Sequence, residues 1–175
     1  MFSGLHYASF FDIDEIVTCL VEVDGCNINP VDCTGSTPLM WAASNGHESS
    51  SEYTTWTGWR QPQQLDKRGS TPLYRAAAEG HEGVVKILLK RDGVDPNRPD
   101  KRDRTPLYRA AMERHEGVVK ILLGWDGINH NSLDKHGQTP LHIAAIEVHD
   151  GAVKMLLRWS DANPDKRNRY GNTPL

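Results

Sequence analysis

The sequence predicts an all-α solenoid in which helix–turn–helix units stack side by side and project hairpin loops. The first observation is a strict period, because the tripeptide Thr-Pro-Leu begins at positions that are always 34 residues apart. The second is that most of these intervals hold two apolar segments of helical spacing, separated by a turn that contains histidine. The tripeptide begins at Thr37, Thr71, Thr105, Thr139 and Thr173.

Another repeated block falls in the same register. The sequence GHEGVVKILL begins at Gly80, RHEGVVKILL at Arg114 and VHDGAVKMLL at Val148. The segment SGLHYA from Ser3 takes the place of the Thr-Pro-Leu block in a first unit. We therefore predict a single array over residues 1–175, which we expect to be a fragment because residues 173–175 begin a sixth unit. The five predicted units are 3–36, 37–70, 71–104, 105–138 and 139–172.

The first helix of each unit is predicted to begin at the Thr-Pro-Leu block. In the unit 71–104, Thr71 suits the N-cap position, and Pro72 suits the first helical position, where no backbone donor is required. The small side chains of Ala76 and Ala77 allow a second helix to approach closely. Gly80 then ends the helix, because glycine adopts the left-handed conformation at a helix C-terminus without strain.

The second helix is predicted over about residues 82–90. Pro96 and Pro99 prevent its continuation, and residues 100–104 have the composition of a short hairpin turn. Four aliphatic side chains form its buried stripe: Val84, Val85, Leu88 and Leu89.

The unit 37–70 departs from this pattern in its second helix. Polar residues replace the aliphatic stripe, which forfeits on the order of 6 to 12 kcal/mol of burial at about 1.5 to 3 kcal/mol per side chain. We therefore expect this unit to lack both its own core and its interfaces with neighbours, so that the array is weakest there. The replacing residues are Ser50, Ser51, Thr54 and Thr55.

A shift of the reading frame by one nucleotide can turn Tyr53, Thr54 and Thr55 into Ile-Leu-Leu, which restores the stripe. We hypothesise a compensated frameshift between about residues 49 and 64. Resequencing this stretch of the gene tests the hypothesis, which fails if the codons do not permit the shifted translation.

The pattern T-P-L-x-x-A-A-x-x-G-H-E-x-V-V-x-x-L-L resembles the ankyrin repeat. The amino-acid sequence of these blocks is also similar to that of the ankyrin arrays of filamentous fungi, which often follow NTPase domains. This chain departs from the family pattern where Arg114 and Val148 replace a helix-ending glycine and where Asp103 replaces a turn glycine. We expect each helix-end replacement to strain a left-handed backbone position by about 1 to 2 kcal/mol.

The resemblance implies a non-catalytic scaffold that binds a partner protein through the hairpin tips and the exposed face of the first helices. Basic tips beside a deeper acidic row would fix the orientation of that partner. Three alternatives remain open: solvated charges with no partner, nucleic-acid or other polyanion binding at the basic tips, or a regulatory fragment of a larger signalling NTPase. The family's variable contact positions correspond here to Lys67, Arg68, Ser70, Ala78 and Glu79, to Lys101, Arg102, Arg104, Met112 and Glu113, and to Lys135, His136, Gln138, Ile146 and Glu147.

Composition and motifs exclude several other functions. The net charge of −3 gives no overall attraction to nucleic acid, which disfavours nucleic acid as a partner. The N-terminal residues contain neither a signal peptide nor a membrane span, so we expect an intracellular protein, cytoplasmic or nuclear. The three cysteines have no C-x-x-C spacing, which argues against a disulfide framework or a zinc site. These residues are Cys19, Cys26 and Cys33.

The sequence also lacks the motifs of nucleotide-binding loops, zinc proteases and nucleophile elbows, so we predict no enzyme activity, no cofactor and no small-molecule substrate. Four histidines recur once per unit, too far apart to share a metal ion. We therefore predict structural hydrogen bonds for them, and no metal site. Two tryptophans, Trp125 and Trp159, share a position at the end of the second helix, where they serve either as binding aromatics or as half-buried packing. The recurring histidines are His47, His81, His115 and His149.

Overall fold

The computed structural model describes residues 3–12, 30–49, 51, 63–159 and 162–175. These residues contain eight helices and no strand, which confirms the predicted all-α solenoid. All of the first helices, from α1 onwards, begin 34 residues apart. The helices are α1 (Gly4–Phe10), α2 (Pro38–Asn45), α3 (Pro72–Glu79), α4 (Glu82–Leu89), α5 (Pro106–Met112), α6 (Glu116–Leu123), α7 (Pro140–Ile146) and α8 (Asp150–Leu157).

Each first helix begins as the sequence predicts. The hydroxyl of Thr71 accepts a hydrogen bond from the backbone N–H of Tyr74 at 3.1 Å, and Pro72 occupies the first turn. Ser3 caps α1 in the same way, although no proline follows it. Gly80 ends α3 with φ +83°, in the left-handed region. The equivalent caps are Thr37, Thr105 and Thr139.

The core lies between two layers of helices. The first helices α1, α2, α3, α5 and α7 contact one another in that order, and the second helices α4, α6 and α8 form the other layer. Ala76 and Ala77 are fully buried, which allows α4 to pack closely against α3. The predicted stripe of α4, from Val84 to Leu89, is buried as well. One apolar cluster runs through these layers from Leu5 to Leu156.

An aspartate fixes each hairpin turn between units. Asp100 accepts hydrogen bonds from the backbone N–H groups of Arg102 and Arg104 at 2.8 and 3.0 Å, through one carboxylate oxygen. The backbone N–H of Asp100 also donates to the carbonyl of Arg104 at 3.0 Å, which closes the turn. The same turn recurs at Asp32, Asp66, Asp134 and Asn168.

A single backbone hydrogen bond joins each hairpin to the next. The backbone N–H of Lys101 donates to the carbonyl of Arg68 at 3.0 Å, and that of Lys135 donates to Arg102 at 3.2 Å. The tips therefore form one continuous ladder along the edge of the array. The two outer bonds join Lys67 to Thr34 at 2.9 Å and Arg169 to His136 at 3.0 Å.

The described part of the unit 37–70 packs against both neighbouring units. Our expectation that this unit lacks interfaces with its neighbours is therefore wrong for the layer of first helices. Helix α2 packs against both α1 and α3. The ring of His81 bonds the carbonyl of Ser44 at 2.9 Å, and the carboxylate of Glu48 covers Gly83 as Glu82 covers Gly117 one unit later. Ser51 is helical and buried. Ser50, Thr54, Thr55 and most of the proposed frameshift stretch lie outside the described residues.

The hairpin carboxylate at Asp32 has an unusually low pKa. Burial alone raises this pKa, but hydrogen bonds from the Thr34 hydroxyl, the Ser36 backbone and the Trp41 indole outweigh burial and lower it to about 2. The pKa of Asp100 is also lowered, because bonds from Arg104 and Tyr74 outweigh its burial. Both turns are therefore most stable with the carboxylate ionised.

Four of the described residues that are not glycine adopt left-handed backbone conformations: Asp12, with φ +55°, and three that the sequence analysis predicted. Arg114 has φ +64°, Val148 has φ +58° and Asp103 has φ +62°. Gly80 stands at the position equivalent to Arg114, where a Cβ atom would lie 2.5 Å from the ring of the next histidine. The helix ends at Arg114 and Val148 thus each carry strain that glycine would relieve.

We expect the substitution Arg114→Gly to raise the free energy of unfolding by about 1 kcal/mol, because glycine removes the Cβ penalty at this left-handed position. Urea denaturation followed by circular dichroism measures the change. Lys90→Gly is the matched control, since Lys90 is an exposed basic residue at a helix C-terminus with φ −77° and gains nothing from glycine. If both variants were stabilised equally, the left-handed backbone at Arg114 would not be the source of the gain.

We expect Asp32→Asn to keep the turn, because Asn168 makes the equivalent bonds with an amide. Since the folded-state pKa of Asp32 lies below its usual value of 3.8, the ionised carboxylate stabilises the fold above about pH 4 and this contribution disappears as the pH falls towards 2. The variant should therefore be less stable than the unaltered chain at pH 5, and the gap should close between pH 4 and pH 2. Urea denaturation at several pH values measures this difference in stability. A difference that does not change with pH would show that the ionised carboxylate of Asp32 is not its cause.

Candidate functional site

The tip surface consists of exposed side chains on a fixed backbone. The two central tips each present a Lys-Arg pair, Lys67 with Arg68 and Lys101 with Arg102. The ladder and the hairpin aspartates hold the backbone beneath these side chains. We define the tip surface as Lys67, Arg68, Lys101, Arg102, Lys135 and His136, all of which are exposed.

Buried carboxylates organise the layer beneath the tips. The second oxygen of Asp100 accepts from the Tyr74 hydroxyl at 2.9 Å and from the Arg104 guanidinium at 2.6 Å. Burial and the neighbouring Asp100 charge raise the pKa of Tyr74 well above its usual range, so this hydroxyl stays a neutral donor. Tyr108 bonds to Asp134 in the same manner at 3.1 Å, and its pKa is raised likewise. These tyrosines therefore support the turns.

Four of the predicted contact residues have internal roles or are covered. Ser70 is only 5% exposed, and its backbone N–H donates to Asp66. Arg104 is held by the ion pair with Asp100, and Met112 packs half-buried against the core. Gln138 accepts a bond from the Tyr108 hydroxyl at 3.4 Å. These four side chains are less available to a partner than the tip surface.

An acidic row lies along the C-terminal ends of the first helices. The row consists of Glu79, Glu113 and Glu147, all exposed. Glu113 pairs with Arg109 at 2.8 Å. Ile146 is 56% exposed beside the last of these carboxylates, whereas Ala78 is partly covered. The predicted basic and acidic residues therefore occupy two parallel rows at different heights.

Two arginines that the sequence analysis did not select also face this region. Arg75 bonds to Asp66 at 2.6 Å and to the Ser36 hydroxyl at 3.0 Å, so it joins its own unit to the two preceding units. Arg109 occupies the equivalent position one unit later. The available signal was an arginine in the middle of an apolar first helix, at a position where other units carry Tyr7, Trp41 or Ile143.

Two adjoining clefts lie between the second and third tips and the first helices below them. The upper cleft, which we name the basic cleft, has a volume of about 580 Å³. The lower cleft is smaller, at about 120 Å³, and is lined by residues of both charges, among them Arg75 and Glu79. The residues of the basic cleft are Lys67, Arg68, Asp100, Lys101, Arg102, Arg104 and Arg109.

The recurring histidines make structural hydrogen bonds between units, as predicted. The Nε2 atoms of His47, His81 and His115 each bond a carbonyl near the end of the preceding first helix, at 2.8 to 3.0 Å. His149 instead uses Nδ1, to the carbonyl of Ala111, where Arg114 has replaced the helix-ending glycine. Over the described ranges, no group of three or more His, Cys, Asp or Glu side chains is placed to hold a metal ion.

The two tryptophans have different environments. Trp125 is half-buried and packs against the core, which supports the packing interpretation. Trp159 is 38% exposed and stacks on His130, with 5.0 Å between the ring centroids. Among the residues with described positions, no helix has the length and apolar character needed to cross a membrane.

Comparison with known proteins identifies the family. A family model described as ankyrin repeats, three copies, matches residues 2–53 and 58–134, with a break inside the polar segment of the second unit. A second model, described as ankyrin repeats, many copies, matches residues 125–175. No curated protein matches the chain. Ankyrin repeats generally mediate protein–protein interaction, and proteins built from them are typically non-catalytic scaffolds. These matches extend over nearly the whole sequence, and the chain belongs to the ankyrin repeat family.

Proposed function

We propose that this array is a non-catalytic scaffold that binds a partner protein through the tip surface and the exposed face of the first helices. The observation that carries the proposal is the set of exposed cations on a hydrogen-bonded ladder, beside a parallel acidic row. A preformed surface loses less conformational freedom on binding than a mobile loop does.

The charge arrangement supports recognition of an oriented partner. In the part of the chain that the structure describes, none of the side chains of Lys67, Arg68, Lys101 and Arg102 forms an ion pair. These cations are therefore available to an external anion. Within the same described ranges, Glu79 and Glu147 of the acidic row form no ion pair either, and they attract the opposite charge at a lower level. Complementary rows of this kind increase specificity and the association rate more than affinity.

Polyanion binding is the second candidate, and the basic cleft is the observation that favours it. The acidic row disfavours a nucleic acid, because a phosphodiester backbone lying across the first helices would meet Glu79, Glu113 and Glu147. Salt dependence separates the two candidates. Nucleic-acid affinity falls steeply with salt concentration, with a slope that counts the phosphate contacts.

We expect the double variant Lys101→Glu and Arg102→Glu to bind the protein partner at least about tenfold more weakly, since it reverses two cations of the tip surface. Both side chains are exposed and the turn uses only their backbone, so the helix content should not change. Affinity capture from cell extract, followed by quantification of the retained proteins, identifies the partner and measures its loss.

The matched control is Lys86→Glu with Lys120→Glu, which makes the same charge change on the exposed side of α4 and α6. The control should retain the same partner as the unaltered chain. If both double variants retained the partner equally well, the tip cations would be solvated charges with no role in binding. Circular dichroism confirms that each variant folds.

A further inference from the structure

We infer that the basic cleft binds an anionic segment of the partner protein, in which several carboxylate or phosphate side chains lie close together. This inference rests on the proposed function and names the chemistry of the partner. The cleft lies within the size range of ligand pockets, at about 580 Å³, and six of its seven lining residues are cationic.

The cations of the basic cleft divide into a fixed set and an available set. Asp100 holds Arg104 at 2.6 Å, and Glu113 holds Arg109 at 2.8 Å. No carboxylate of the described chain pairs with the other four cations. The available set is Lys67, Arg68, Lys101 and Arg102. An excess of positive charge on neighbouring side chains is unfavourable by itself, and an incoming anion relieves it.

The carboxylates beneath the cleft are already paired with arginines outside the available set, Asp100 with Arg104 and Asp66 with Arg75, and their oxygens also accept internal bonds. Asp100 uses one oxygen for two backbone N–H groups and the other for Tyr74 and Arg104. Asp66 uses one oxygen for the backbone N–H groups of Arg68 and Ser70, and the other for Arg75. The acids are thus committed to holding the turns, while the cations above them face outward.

The position of the acidic row favours a peptide over a nucleic acid. Glu79 lines the lower cleft that adjoins the basic cleft, and Glu113 is the C-cap of the next first helix. A uniformly charged phosphodiester chain cannot avoid these carboxylates if it follows the array. A polypeptide can place acidic side chains at the tips and neutral or basic side chains beside the acidic row. Arginine suits either anion, because its planar fork bonds carboxylate and phosphate in a bidentate manner.

Fluorescence anisotropy with labelled probes of equal length tests the inference at physiological salt. One peptide carries clustered Asp and Glu, a second carries phosphoserine at the same positions, and a third carries Gln there. A single-stranded RNA of the same net charge is the fourth probe. We expect one or both anionic peptides to bind, the Gln peptide not to bind, and the stronger anionic peptide to identify the anion.

The variant Arg68→Glu with Arg102→Glu places one reversed charge on each of two neighbouring tips and should weaken the anionic peptide at least about tenfold. Lys86→Glu with Lys120→Glu serves again as the control of equal charge and should bind as the unaltered chain does. Equal weakening in both variants would indicate non-specific attraction and would overturn the inference, as would stronger binding of the RNA than of either peptide. Thermal unfolding of each variant confirms the fold.

The inference and the proposed function fail in distinguishable ways. Suppose that neither anionic peptide binds, although the variant at Lys101 and Arg102 loses its captured partner. The scaffold function is then supported, and the inference that the partner carries an anionic segment is wrong. If the capture experiment shows no dependence on the tips, the proposed function fails first.

Discussion

The hydrogen bonds between the hairpin carboxylate and the backbone of its own turn are the interaction on which the candidate surface depends. Asp100 fixes the turn through one oxygen and uses the other to hold Tyr74 and Arg104 beneath it. The fixed turn can then donate one backbone bond to the preceding tip and accept one from the next. Because an amide makes the same turn bonds at Asn168, the geometry of the acceptor is sufficient for the turn, while the charge serves the side chains below.

Much of the fold could be predicted from sequence, because the interactions that define a unit are local. The threonine caps, the proline in the first turn and the apolar stripes all act within about a dozen residues, so spacing alone locates them. The left-handed residues Arg114, Val148 and Asp103 were also predictable, since glycine occupies the equivalent position in other units. The structural role of the histidines followed from their recurrence once per unit.

The candidate site was less predictable, because it depends on where long side chains reach across units. Arg104 and Ser70 stand at variable contact positions, yet one pairs with Asp100 and the other is buried. Arg109 lines the basic cleft from a first-helix position that the sequence analysis did not select. The second unit likewise shows that losing the apolar stripe of one helix leaves the other layer in contact, because α2 and the hairpins make separate bonds to their neighbours.

Amide hydrogen exchange at the tips tests the central claim, that a hydrogen-bonded ladder holds the cations as one preformed surface. The backbone N–H groups of Lys67, Lys101, Lys135 and Arg169 each donate to the preceding tip although their side chains are exposed. We expect these four amides to be protected nearly as well as those of the first helices, since exchange requires the stack to open. Exchange at the rate of an unstructured peptide, while the helices stay protected, would contradict this expectation.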